Sequence, residues 1–180
     1  MSLLSYNELI RLQVEGVIQD SLPEHVNSSS IDVTLGRYIL REDITGGWHH
    51  VILSKRDAMQ YNRHDLWDKP FYLMPGDFVL ASTEQVFNLP NDISAEYKLK
   101  SSMGRVGLNH LTAGWCDAGW HGSVLTLELH NVTRSHVIVL EANVPIGQVT
   151  FYRHTPVPDK YSYATRGRYN GDLETKGVKA

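Results

Sequence analysis

The chain has 180 residues, enough for one well-packed core and too few for two comfortable domains. Its 42% hydrophobic and 21% charged residues and formal net charge of −3 are ordinary for a globular protein, and leave no basic field for a nucleic-acid polymer. A single cysteine, Cys116, excludes an internal disulfide, and no apolar run reaches the length of a membrane span. The opening Met1-Ser2-Leu3-Leu4 has no cationic region followed by a long apolar stretch, so the expectation is one soluble, cytoplasmic domain over residues 1–180.

Ser5-Tyr6-Asn7-Glu8 has the spacing of a capping box and predicts a short helix through Leu9, Leu12 and Val14 that stops at Gly16. Beyond it the period changes to two. Ile31, Val33 and Leu35 alternate with polar residues, and Phe78–Ala81, Val124–Leu129, Val137–Leu140 and Val149–Tyr152 are short β-branched or aromatic runs. Turn signals separate them, among them Met74-Pro75-Gly76-Asp77 and Leu89-Pro90-Asn91-Asp92. Many short strands at this spacing predict an all-β sandwich or barrel. Residues 37–69, with Gly46-Gly47 and His49-His50, read as an elaborated hairpin, and 101–108 as one short helix. From Thr155 onward the periodicity is lost, although the tyrosines and cations of this tail suit it to fold over an anion.

Three segments carry candidate chemistry, and each has a plainer reading. Lys100-Ser101-Ser102-Met103-Gly104-Arg105 places hydroxyls, cations and free backbone donors at a helix entrance, which suits phosphate. Taken alone it is more simply a capped helix start with a solvated arginine. Thr112-Ala113-Gly114-Trp115-Cys116-Asp117-Ala118-Gly119 is either a tight turn that reads a base edge, with Asp117 on a sugar hydroxyl or water, or simply a hairpin. Glu128, in the apolar run Val124-Leu125-Thr126-Leu127-Glu128-Leu129, is either a general base on a partly buried face shared with Thr126 and Val124, or a residue on a solvated face. The His-x-Glu and Pro-Cys-x-x-Cys pattern of zinc deaminases is missing, so a zinc-free chemistry is expected.

In this order the segments resemble those of the dCTP deaminases of the trimeric dUTPase-like superfamily, from about Ser28 to Asn170 and most strongly from Phe78 to Gln148. Ser29 to Leu35 resembles the family's Ser-x-Asp-x-x-Leu strand, and Lys100 to Leu108 its Lys-Ser-Ser-x-x-Arg-x-Gly-Leu phosphate segment. Thr126-Leu127-Glu128 matches Thr-Leu-Glu, and Ile146-Gly147-Gln148 matches Ile-Gly-Gln. The resemblance implies a homotrimer of distorted jelly-roll β-barrels with a short N-terminal helix and three active sites between subunits. Glu128 would activate the water that attacks C4 of cytosine, with Arg105 nearby keeping it ionised and Ser101 and the backbone of Ala113 holding the water. Lys100, Ser101, Ser102, Met103, Gly104 and Arg105 would line the triphosphate, which arrives with Mg2+. Asp117, Thr126 and Leu127 would meet the sugar and base, and Gln148, Tyr161, Arg168 and Asn170 the nucleotide, as residues 155–180 close over it. dCTP or dUTP is the implied substrate, and dTTP a feedback inhibitor.

Gly114-Trp115-Cys116 stands where deaminase-only members carry a His-Arg pair, which is similar to the bifunctional, dUMP-forming type. The chain also departs from the pattern. It is one residue short between Arg105 and Asp117 and one long between Trp120 and Glu128, which predicts a bulge before the Glu128 strand. Thr34 replaces an arginine, Arg168 a lysine, and Asn170 and Asp172 glutamines. A dUTP-yielding deaminase, a dUTPase alone and a non-catalytic nucleotide-binding regulator are the alternatives.

Overall fold

Strand β1 (Ser2–Leu3) leads into helix α1 (Tyr6–Val14), at whose start the Ser5 N–H donates to the Glu8 carboxylate at 3.0 Å. In this computed structural model, which describes residues 1–45 and 47–179, Leu9 and Leu12 of the helix are buried, and Gly16 turns the chain with a φ of +72°. The Gly46 half of the Gly46-Gly47 pair lies outside the described residues.

Among the described residues, twelve further strands and two short α-helices follow, besides three single turns of 3-10 helix. They are β2 (Ile18–Gln19), β3 (Ile31–Thr34), β4 (Tyr38–Glu42), β5 (Tyr61–Asp65), β6 (Phe71–Leu73), β7 (Phe78–Asn88) and β8 (Ile93–Leu99), then α2 (Ser101–Arg105), β9 (Leu108–His110), β10 (Trp115–Cys116), β11 (His121–Asn131), β12 (Ile138–Leu140), β13 (Pro145–Arg153) and α3 (Tyr163–Arg166). One sheet runs β1-β13-β8-β10, with β3 also on β13. The other runs β5-β4-β7-β11-β9, with β2 on β7, and β12 pairs with β6. The pairings are antiparallel, as the hairpin-rich sequence requires. The all-β expectation stands, with one difference: the two large sheets do not close on each other.

Both sheets feed a single apolar cluster. Ile31, Val33, Ala95, Val149 and Phe151 come from one, and Ile39, Val79, Phe87, Leu127 and Leu129 from the other. Burying each large side chain contributes about 1.5–3 kcal/mol, so this cluster holds the sheets face to face. The polar segment 37–69 is indeed a hairpin, β4 against β5 in the register Tyr38↔Asp65 to Glu42↔Tyr61. Strand β8 is absent from the runs read above, although Ile93, Ala95, Tyr97 and Leu99 alternate with Ser94, Glu96 and Lys98, and it lies between β13 and β10.

The bulge expected before the Glu128 strand is present. His121 pairs with Asn88 and Ser123 with Phe87, so Gly122 is the extra residue, at a φ of +62° that glycine adopts without strain. From Thr126 the register is regular, which buries Leu127, Leu129 and Asn131 and turns Thr126, Glu128 and His130 outward as half-buried side chains. The tail is ordered against the same chain. The Trp120 indole and the Ser123 hydroxyl both donate to the Tyr169 carbonyl, each at 2.8 Å, and the Val124 N–H donates to the Asp172 carbonyl at 2.8 Å.

Candidate active site

Because β11 carries Glu128 on its outward face and the 112–119 turn leads into that strand, the two segments meet across one cavity of about 420 Å³. Ala113, Asp117, Val124, Thr126 and Glu128 line it, with Trp115, Trp120, Tyr163 and Tyr169 supplying aromatic walls and the tail residues Asp172 and Lys176 its rim. This size and mixture suit a nucleoside: flat apolar walls and a few convergent polar groups. The Glu128 side chain is 24% exposed, but its Oε2 is fully shielded, so Oε1 is the oxygen with access to the cavity. Asp117 is held by the Trp115 indole, which donates to its Oδ1 at 3.0 Å. Cys116, beside it, is buried, and burial together with the Asp117 charge pushes its thiol up to about 12, so it stays protonated and inert.

Glu128 has a partner that the sequence reading missed. His110 of β9 is buried, and its Nε2 lies 3.2 Å from Glu128 Oε2. The expected neighbour, Arg105, makes no ion pair with Glu128 within the chain; it sits exposed at the end of α2. The reason is topological: β9 is hydrogen-bonded to β11 in the register Leu129↔His110, whereas α2 precedes β9 and packs beside it. The sequence carries no local signal for this contact, because it depends on the β9–β11 register.

The other expected residues divide. Lys100 is tied to Asp32, whose Oδ1 also accepts from the Asn27 amide at 2.9 Å, so its ammonium already has an anion. Ser101, Ser102 and Arg105 are exposed and line neither this cavity nor a second one, of about 630 Å³, that Gly104, Asn109 and His110 border. Met103 packs against the core. The Leu127 side chain is fully buried on the face opposite Glu128, which leaves only its backbone to a ligand. Gln148 stands on β13, within 3.5 Å of the Ser30 hydroxyl, and does not reach the Glu128 cavity. Tyr161 is exposed under Lys160, and Arg168 is exposed, so neither lines the cavity. Asn170 spends its amide on the fold: Oδ1 accepts from the His121 N–H at 3.1 Å and Nδ2 donates to the Tyr163 carbonyl at 2.9 Å. Among the described residues no three His, Cys, Asp or Glu side chains gather as a metal-ligand set.

The family profile of dCTP deaminase-like proteins matches residues 3–154. The chain belongs to the dCTP deaminase-like family. A relative from a Nocardioides species, named as a dUMP-forming dCTP deaminase, is 49% identical over 152 residues, 83% of this chain and 78% of its own. One of the same name from Thermobifida fusca is 40% identical over 152 residues, 83% of this chain and 76% of its own. Among solved structures, the 2'-deoxycytidine 5'-triphosphate deaminase of Agrobacterium tumefaciens superposes with a TM-score of 0.65 at 22% identity, covering 84% of this chain. This chain spans about half of that one, 48%, and the likeness concerns the fold.

Two departures from the dCTP deaminase pattern have physical grounds. A side chain at Gly114 would place its Cβ 2.7 Å from the Tyr97 carbonyl oxygen, so the histidine of the other motif type does not fit this turn. Thr34 is buried, its hydroxyl accepting from Gln85 Nε2 at 3.1 Å and its N–H donating to Gln85 Oε1 at 2.8 Å, an exchange in which an arginine would have no room. Asp172 does not repel an incoming phosphate as a bare charge. Burial raises its pKa, but Lys176 at 2.7 Å and Lys179 at 2.5 Å outweigh burial and hold it below the ordinary value.

Proposed function

We propose that this chain converts dCTP and water to dUMP, ammonia and pyrophosphate. One water replaces the C4 amine of cytosine, and a second cleaves between the α and β phosphates. The observation that carries the reading is Glu128, half-buried, with one oxygen turned inward and the other open to a cavity shared with Asp117. A carboxylate so placed takes one proton from the attacking water and passes it to the ring nitrogen, then moves the proton of the new C4 hydroxyl to the amine as it departs and the C4 carbonyl forms. Asp117, fixed by the Trp115 indole, binds the deoxyribose and aligns the second water. Relatives 37–49% identical named as dUMP-forming dCTP deaminases support both steps.

The exposed Ser101, Ser102 and Arg105 fit a trimer in which one copy lends its α2 hydroxyls and guanidinium to the triphosphate held at another copy's Glu128. Mg2+ enters with the triphosphate as part of the substrate. The chain works as one domain in the cytoplasm, residues 155–180 close over the nucleotide, and dTTP competes as a feedback inhibitor.

Incubation with dCTP and Mg2+, followed by chromatography of the products, tests this reading. Equal amounts of dUMP, pyrophosphate and ammonia are expected, and chelating Mg2+ should stop their formation. dUTP as the end product would reject the second step, and untouched dCTP beside consumed dUTP would reject deamination.

A further inference from the structure

Behind Glu128 lies a group of buried polar atoms that the reaction as written does not use. Glu128 Oε2, His110 Nε2 and the Tyr97 hydroxyl are each shielded from solvent and lack a well-aligned hydrogen-bond partner. Buried polar groups left unpaired are rare and costly, so three of them behind Glu128 call for a reason. The His110 ring is fixed from two directions. Tyr97 packs against it with centroids 4.7 Å apart at 56°, and the Thr112 N–H donates to its Nδ1 at 3.2 Å. Thr112 does so from a φ of +64°, a left-handed conformation costly for a β-branched residue.

The Thr112 contact assigns the tautomer. A neutral imidazole whose Nδ1 accepts must carry its proton on Nε2, the nitrogen 3.2 Å from Glu128 Oε2. The pair is at contact distance but off line, as acid–base pairs often are before substrate tightens the site.

We infer that His110 is the positioning residue of Glu128, donating from Nε2 to Oε2 so that Oε1 is the oxygen that takes the proton from water. This rests on the reading of Glu128 as the base and adds to it the means by which that base is aimed. The ring contributes no charge: it fixes one carboxylate oxygen, while Thr112, next to the cavity-lining Ala113, fixes the ring. Nucleotide-binding groups lie elsewhere, so the contact serves turnover and not affinity.

Two measurements decide it. Nitrogen–proton correlation spectra of protein labelled with 15N-histidine should show His110 protonated on Nε2 alone, with that signal moving in Glu128→Gln; a proton on Nδ1 would overturn the assignment. With dCTP, His110→Leu should lower kcat about 10-fold or more at a KM within about 3-fold, and His110→Gln, which keeps a neutral donor at the Nε2 position, should recover most of it. A leucine variant with full kcat, or an equal loss in both variants with melting temperatures like that of the parent, would reject the positioning role. Were the parent chain itself inactive on dCTP, the proposed function would fail, and the spectra would still report on the pair.

Discussion

The Glu128 strand and the α2 segment carry comparable chemistry, yet the fold treats them in opposite ways. Glu128 lies on a long central strand, with a shielded oxygen, an oriented histidine behind it and a cavity in front. Ser101, Ser102 and Arg105 lie on a five-residue helix at the surface, exposed and outside that cavity. On the proposed function, the difference means that this chain builds one half of a site within itself and presents the other half outward. A base needs a dry, fixed setting, whereas phosphate-binding hydroxyls and a guanidinium work from a solvated edge.

The largest effect should follow from the buried half. Glu128→Gln keeps the shape and removes the proton acceptor, so ammonia release should fall about 1,000-fold or more while dCTP binding, followed by calorimetry, changes little. Undiminished ammonia release would take Glu128 out of the mechanism and leave the comparison between the two halves without content.

Arg105→Ala tests the outward half, with an expected loss of about 100-fold, chiefly as a raised KM for dCTP. The sharper experiment mixes the two defects. Co-expressed Glu128→Gln and Arg105→Ala chains should regain roughly a quarter of the parental activity, since random mixing in a closed oligomer restores that share of sites built across two copies. Two inactive variants that stay inactive together, in an assembly shown by mass to be mixed, would place both halves on one chain.

Much of this was legible in the sequence, for reasons that differ by element. The capping box at Ser5 and Glu8 is decided within a few residues, the 37–69 hairpin follows from a polar, turn-rich stretch between apolar runs, and the Gly122 bulge follows from the extra residue between Trp120 and Glu128. Asp117, Ala113, Thr126 and Glu128 converge because a turn feeds directly into the strand that carries Glu128. His110 escaped because its role depends on β9 pairing with β11, a register that no local pattern encodes. Arg105 was placed beside Glu128 on the strength of family motifs, which do not tell whether two motifs meet within a chain or between copies. Strand β8 was legible too, since Ile93, Ala95, Tyr97 and Leu99 alternate with polar residues, of which Glu96 and Lys98 pair at 2.7 Å on its outer face.

The smallest of the expected effects concerns the tail, which joins the two halves' surroundings. Asp172 is buried beneath Lys176 and Lys179, and its backbone carbonyl accepts from the Val124 N–H on the cavity strand. Its folded pKa lies below the ordinary 3.8, so the pair's contribution is fully present above that value and is lost as pH falls through the folded pKa. The tail should therefore detach in acid before the core unfolds, since the sheets are held by apolar contacts that protons do not touch. Asp172→Asn removes the charge at every pH: it should strand two ammonium groups, loosen the tail near neutrality and cost turnover only about 2- to 5-fold, because Glu128 and Asp117 stay in place. Limited proteolysis across 155–179 reads the loosening directly. A tail equally protected in parent and variant from pH 7 down to about 3 would show that the Trp120 and Ser123 contacts to Tyr169 hold it without Asp172.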